Sequence, residues 1–209
     1  VCLKTENKII KEISYSCSES PNFDTKKTLI PGFVDIHCHG GAGFYFSDIQ
    51  LDKRLIARNF HLSRGTTTII ASLISDDYEA MKKQIARLVP QVKDGTFAGI
   101  HLEGPYLSPV RCGAHNPKYL RALQLSEIIE LIEIGQGTIR MVTIAPELKG
   151  FKESANILRS YGITVAIGHF DANIQEIDDA FSDGINLVTH FTNAMPKLLS
   201  GSYSSADLI

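Results

Sequence analysis

From position 29 onward, short runs of β-branched and apolar residues alternate with longer segments whose apolar residues recur at helical spacing, and this alternation limits the fold more than any other feature. Strands are predicted over 33–38 (FVDIHC), 66–73 (TTTIIASL), 97–102, 139–144, 163–167 and 186–190. Helices are predicted over 51–63, 77–92, 126–134, 151–161 and 173–182. Asp77 is an N-cap residue type, Ser126 and Glu127 read as capping residues of the third helix, and Gly65, Gly95, Gly162 and Gly184 mark exits.

Strands separated by crossover helices require parallel βαβ units, which build either an open doubly wound sheet or a closed barrel. The polar residues decide between them. Asp35/His37/His39, His101/Glu103, His169 and Thr189/His190/Asn193 each sit at or just past the carboxyl end of a different strand. Residues from several strands converge in a barrel, whereas an open sheet gathers its site at one switch point. The expectation is therefore an α/β fold, a TIM-like (β/α)8 barrel. About six of its β/α units fall within 29–209, with the last strands beyond Ile209. Residues 1–28, with polar-interrupted pieces such as KIIKEISYS, read as part of a small accessory β module.

Composition narrows the function classes. A hydrophobic content of 44% with 21% charged residues is that of a globular domain, and a net charge of −2 without a basic run excludes nucleic acid and anionic membrane surfaces as partners. No apolar run approaches the roughly 20 residues of a membrane span, and 1–20 lacks the pattern of a secretory signal, so the expected location is cytoplasmic. Cys2, Cys17, Cys38 and Cys112 form no CxxC pair and are expected to be reduced, with Cys38 pointing away from the histidines that flank it.

His37 and His39 stand at i, i+2, which puts both imidazoles on one strand face about 7 Å apart along the backbone. Glu103 closes the run GIHLE, where an unpartnered carboxylate would be costly to bury and a cation is a fitting partner. His169 closes TVAIGH and His190 closes NLVTH at the same level. Glu103, His169 and His190, with His37 and His39 beside them, offer N and O donors suited to Zn2+ or Fe2+ rather than Mg2+. A metal with an open position activates water for hydrolysis, and such chemistry also needs a general base. His61, beside Phe60, reads as a packing histidine. Asp35 and His101 either orient a ligand or pack inward.

Together PGFVDIHCHGG, HLEGPYLSP, GAHNP, AIGHFDA and THFTNAMP resemble the N-acetylglucosamine-6-phosphate deacetylases of the amidohydrolase superfamily, over about 29–196. The resemblance implies that Glu103, His169 and His190 are the primary metal ligands and that His37 and His39 are a second-metal pair. It implies that His115, with Ala114 beside it, meets the substrate amide and its oxyanion, and that Asn193 and Ala194 hold the sugar phosphate. The cofactor would be one or two divalent ions, Zn or Fe, the substrate an amino-sugar phosphate, and the assembly a homodimer. An activated water would attack the acetamide carbonyl, releasing acetate and glucosamine 6-phosphate. Two departures stand out. The family's phosphate-gripping arginine has no counterpart in KLLSGSYSSADLI, whose only cation is Lys197, and the general acid/base aspartate is expected beyond Ile209, so this stretch alone is expected to be inactive. The alternatives are another amidohydrolase acting on a different amide or cyclic amide, or a catalytically incomplete metal-binding fragment; GAHNP and NAMP speak against the first.

Overall fold

A computed structural model describes residues 2–7, 9–15, 28 and 30–196. The chain divides into two compact units, 1–31 and 32–209.

In the first unit β1 (Cys2–Glu6) and β2 (Ile9–Ser14) pair antiparallel, with Cys2 opposite Ser14. Cys2 is disulfide-bonded, which corrects the expectation of a reduced thiol there; Cys17 lies outside the described residues. A two-stranded ribbon buries too little apolar surface to hold itself together, and a cross-link offsets that deficit. Among the described residues Cys38 and Cys112 are free thiols. The part of the expected accessory module over 16–27 also lies outside the described residues.

The second unit carries a five-stranded parallel sheet. Its strands are β3 (Phe33–Cys38), β6 (Thr66–Ile74), β7 (Gly99–Glu103), β8 (Ile139–Ile144) and β9 (Thr164–Ile167), hydrogen-bonded in that order. Two short strands, β4 (Gly40–Gly41) and β5 (Phe44–Tyr45), form a separate ribbon after β3. The helices are α1 (Leu51–Leu62), α2 (Tyr78–Lys93), α3 (Leu125–Gly135), α4 (Phe151–Ser160) and α5 (Ile174–Ser182). A doubly wound sheet reverses its strand order at the switch point. Here the order never reverses, so the sheet is one arc of a (β/α)8 barrel.

The predicted sixth strand is reduced to a parallel bridge between Ile167 and Val188. The Ile167 N–H donates to Leu187 O and the Thr189 N–H to Ile167 O, after which His190 turns left-handed at φ 32° and ends the extended run. The third helix also differs from expectation. It is preceded by Gln124, which makes no side-chain cap, and the Glu127 carboxylate bonds Arg121 instead of a helix N–H. Asp77 does cap α2, accepting from the N–H groups of Glu79 and Ala80, and Asn173 with Glu176 forms a capping box on α5.

The core lies between the strands and the helices that cover them. β7 is buried along its whole length, as expected of a parallel strand flanked on both sides. Leu73, Ile85, Leu88, Ile100, Leu102 and Ile144 are fully buried, each contributing about 1.5–3 kcal/mol relative to exposure. Among the described residues no helix is long and apolar enough to cross a membrane.

Candidate metal centre

Glu103, the last residue of β7, is 3% exposed, and five of the chain's seven histidines face its carboxylate. Oε1 lies 3.3 Å from Nε2 of His37, 3.3 Å from Nε2 of His169 and 3.0 Å from Nε2 of His190. Oε2 lies 2.9 Å from Nε2 of His39 and 3.5 Å from Nε2 of His115. Burial alone would raise the carboxyl pKa, but the close imidazoles of His115, His169, His190 and His37 override it and hold the group far below the carboxylate range.

The backbone aims these side chains. His37 lies in β3 and His39 just past it, while His169 and His190 follow their strands with φ of 50° and 32°. Left-handed backbone is uncommon outside glycine. Here it takes two side chains out of the alternation of a strand and turns them toward Glu103, a strain typical of functional sites.

The chemistry of the donor set fits a divalent cation. Nδ1–H of His169 donates to the main-chain oxygen of Arg111 at 2.9 Å, so a neutral ring leaves Nε2 bare. That nitrogen lies 2.9 Å from Nε2 of His190 as well as facing the carboxylate. Lone pairs converging at this range repel unless positive charge lies among them. Two donor sets, Glu103/His169/His190 and His37/His39/Glu103, each have their ligand atoms within 4.8 Å of one another, and Glu103 belongs to both. The Glu103 bond raises the pKa of His190 against the opposing effect of burial. Nδ1 of His39 and of His190 is buried without a hydrogen-bond partner among the described residues, unlike that of His169.

His101 resolves the alternatives left open by its sequence position. Its Nδ1 lies 2.9 Å from Ser72 Oγ and its Nε2 2.8 Å from Thr143 Oγ1, which in turn lies 2.8 Å from Thr189 Oγ1. Both ring nitrogens are thus committed to hydroxyls on neighbouring strands, and burial lowers the ring's pKa to about 3. His101 belongs to a packed polar layer, and its ring meets the donor sets by an edge-to-face approach to His37.

Asp35 does not orient an imidazole ring. The pairing of β3 shifts register between Asp35 and Cys38, and Asp35 accepts from the backbone N–H of His37 at 3.0 Å. It clusters instead with Cys38 and His61. That cluster is poorly suited to a cation: His61 Nε2 lies 2.9 Å from Gly40 O, and burial together with Asp35 pushes the Cys38 thiol up to about 12. The Cys38 sulfur lies 3.8 Å from His61 Nε2, in a cluster separate from that of His37 and His39, and His61 packs by its ring against Phe46 and Phe60.

His115 is buried in the loop after β7, its ring centroid 4.5 Å from that of His169, and burial lowers its pKa. Ala114 beside it is exposed. Asn193 is exposed and donates its backbone N–H to His190 O, while Ala194 is half-buried at φ 52°. Lys197 lies outside the described residues. Two contributors escaped the sequence reading: Ser75, whose hydroxyl lies 2.9 Å from His115 Nδ1, and the carbonyl of Arg111. Ser75 follows a strand as the other site residues do, which was its one visible signal; a main-chain carbonyl has none.

An amidohydrolase family model matches residues 28–206. The N-acetylglucosamine-6-phosphate deacetylase of Danio rerio is 37% identical over 180 residues, covering 81% of this chain and 44% of that protein. The Homo sapiens deacetylase of the same name is 35% identical over 182 residues, covering 81% of this chain and 43% of its own length. The N-acetylgalactosamine-6-phosphate deacetylase of Escherichia coli O157:H7 is 35% identical over 175 residues, covering 81% of this chain and 46% of its own. The crystal structure of N-acetyl-D-glucosamine-6-phosphate deacetylase from Mycobacterium smegmatis superposes with a TM-score of 0.82 at 38% identity, over 90% of this chain and 51% of that one. A variant of that enzyme, solved in complex with N-acetyl-D-glucosamine-6-phosphate, superposes with the same TM-score of 0.82. The chain spans about half the length of the curated relatives it matches.

Proposed function

The chain belongs to the amidohydrolase family, and on that premise we propose that the whole protein hydrolyses the acetamide of N-acetylglucosamine 6-phosphate to acetate and glucosamine 6-phosphate. The observation that carries this reading is the convergence of five imidazoles on one buried carboxylate at the carboxyl ends of the strands. The relatives named for this deacetylation support the choice of substrate.

On this reading Glu103, His169 and His190 hold a divalent cation, and His37 and His39 share Glu103 to hold a second. The N and O donors favour Zn2+ or Fe2+. Such a cation, when bound, lowers the pKa of a water toward about 7 and polarises a carbonyl. Glu103 stays ionised and balances positive charge without taking up a proton. Arg111, through its carbonyl, keeps Nε2 of His169 free to act as a donor atom. His115 presents Nε2 beside Glu103, where an N–H holds the carbonyl oxygen of the acetamide and stabilises the oxyanion as it develops. Ala114 lies beside His115 at the substrate, and Asn193 and Ala194 hold the sugar phosphate. None of the described residues takes the general acid/base role. The family resemblance further supports a homodimer and a cytoplasmic setting.

The epimer N-acetylgalactosamine 6-phosphate is a second candidate substrate, because one relative of comparable identity carries that name. Acetate release by the purified whole protein, loaded with metal and given each sugar in turn, separates the two. Release from the N-acetylglucosamine ester is expected, and no release from either would sink the reading.

A further inference from the structure

Ser75 follows β6 directly and is 5% exposed. Its hydroxyl lies 2.9 Å from Nδ1 of His115 and 3.2 Å from the carbonyl oxygen of Glu103, and its backbone N–H points at the same Nδ1 from 3.4 Å. The neighbouring Gly104 makes room for it. A Cβ at Gly104 would come within 2.2 Å of Ser75 Oγ.

We infer that Ser75 is a positioning residue that holds His115 as the Nε2–H tautomer, so that the ring offers a proton rather than a lone pair on the side facing Glu103. Both edges of the ring require this. A neutral imidazole carries one proton. The amide proton of Ser75 cannot be reoriented, and a proton on Nδ1 would meet it head on. The hydroxyl of Ser75 can donate to Glu103 O at 3.2 Å or to Nδ1 at 2.9 Å, and with the amide proton already fixed on Nδ1 only donation to Nδ1 keeps two lone pairs from facing each other. On the opposite edge Nε2 faces the Oε2 acceptor of Glu103 at 3.5 Å, which again calls for a proton on Nε2. With the tautomer reversed, Nε2 would turn a lone pair toward a developing oxyanion and oppose the charge it is placed to stabilise.

The inference rests on the reading of His115 as the group that meets the substrate carbonyl, but its test does not need turnover. The whole protein is labelled with 15N at histidine and loaded with diamagnetic Zn2+, and two-bond 1H–15N correlations report which ring nitrogen carries the proton. His115 is identified as the signal missing from His115→Gln. The expected spectrum shows His115 protonated on Nε2. In Ser75→Ala the amide alone holds Nδ1, and a population protonated on Nδ1 is expected to appear beside the first. With N-acetylglucosamine 6-phosphate the same variant should lose about tenfold in kcat with KM little changed, less than removal of a whole oxyanion donor costs. A wild-type ring protonated on Nδ1, or a Ser75→Ala spectrum identical to wild type, overturns the inference. The expected tautomers in a protein that releases no acetate would support it while sinking the deacetylase reading.

Discussion

Nδ1 of His169 lies 2.9 Å from the main-chain oxygen of Arg111, and the Arg111 side chain reaches back to Asp171, two residues past that histidine. Nε and Nη2 of the guanidinium each lie 2.8 Å from Asp171 Oδ1. The loops that follow β7 and β9 are thereby tied together around one imidazole.

The first prediction follows from that tie. A half-exposed ion pair contributes about 1 kcal/mol or less to stability, so Arg111→Ala and Asp171→Ala should barely move the unfolding midpoint. Loosening the partner of a ligand imidazole costs roughly tenfold or more in metal affinity. Competition against a chelator should therefore show each variant of the whole protein binding metal at least about tenfold more weakly. Unchanged affinity would show that the ion pair does not position His169.

Glu103 supports a second prediction because it belongs to both donor sets. Elemental analysis should find less metal in Glu103→Ala than in either His190→Ala or His39→Ala, since only the first change affects both sets. His37→Ala and His39→Ala should retain the ion held by His169 and His190. Metal content in His169→Ala or His190→Ala equal to that of wild type would refute the ligand assignment.

The legible part of this site is the part that lies at or just past the ends of apolar, strand-like runs. Glu103, His169 and His190 stood out because a charged or ligand-type residue at the end of an apolar run is costly without a partner, and repetition on successive strands implied a common level. What the reading missed depends on pairings that a linear pattern does not carry. His101 is satisfied because register sets Ser72 opposite it and places Thr143 across the next strand pair. Asp35 left the expected face because β3 shifts register beside it. The sixth strand shrank to a bridge because His190 adopts a left-handed turn that its residue type does not suggest. The bond made by Cys2 gave no sign in the cysteine spacing.

Cys38 yields a third prediction. A thiol pushed up to about 12 by burial and by Asp35 stays protonated through the neutral range, and its thiolate fraction at pH 8 is on the order of one in ten thousand. Since only the thiolate alkylates rapidly, iodoacetamide should modify Cys112 well before Cys38 in the native protein, and denaturation should bring Cys38 up to the rate of an ordinary thiol. Peptide mass spectrometry over time checks the order. Equal native rates would mean that the environment of Cys38 is not the one described.

Gly104 and Gly95 share a backbone conformation but differ in burial, and the comparison brings out the space that Ser75 occupies. Both have left-handed backbone, at φ 82° and 84°, so alanine at either position costs about 1–2 kcal/mol in backbone strain. Nothing lies within 4 Å of a Cβ at Gly95, whereas at Gly104 it would press on Ser75 Oγ and lie 3.0 Å from Leu107. Gly95→Ala should therefore lower stability by the backbone cost alone. Gly104→Ala should lower it further, by about another 1–3 kcal/mol, as overpacking in a close-packed interior does. Adding Ser75→Gly to Gly104→Ala removes the hydroxyl that is struck, so the pair should be less destabilising than the sum of the two single changes. Chemical denaturation of the four variants measures the coupling, and strict additivity would mean that the serine hydroxyl does not occupy the space beside Gly104.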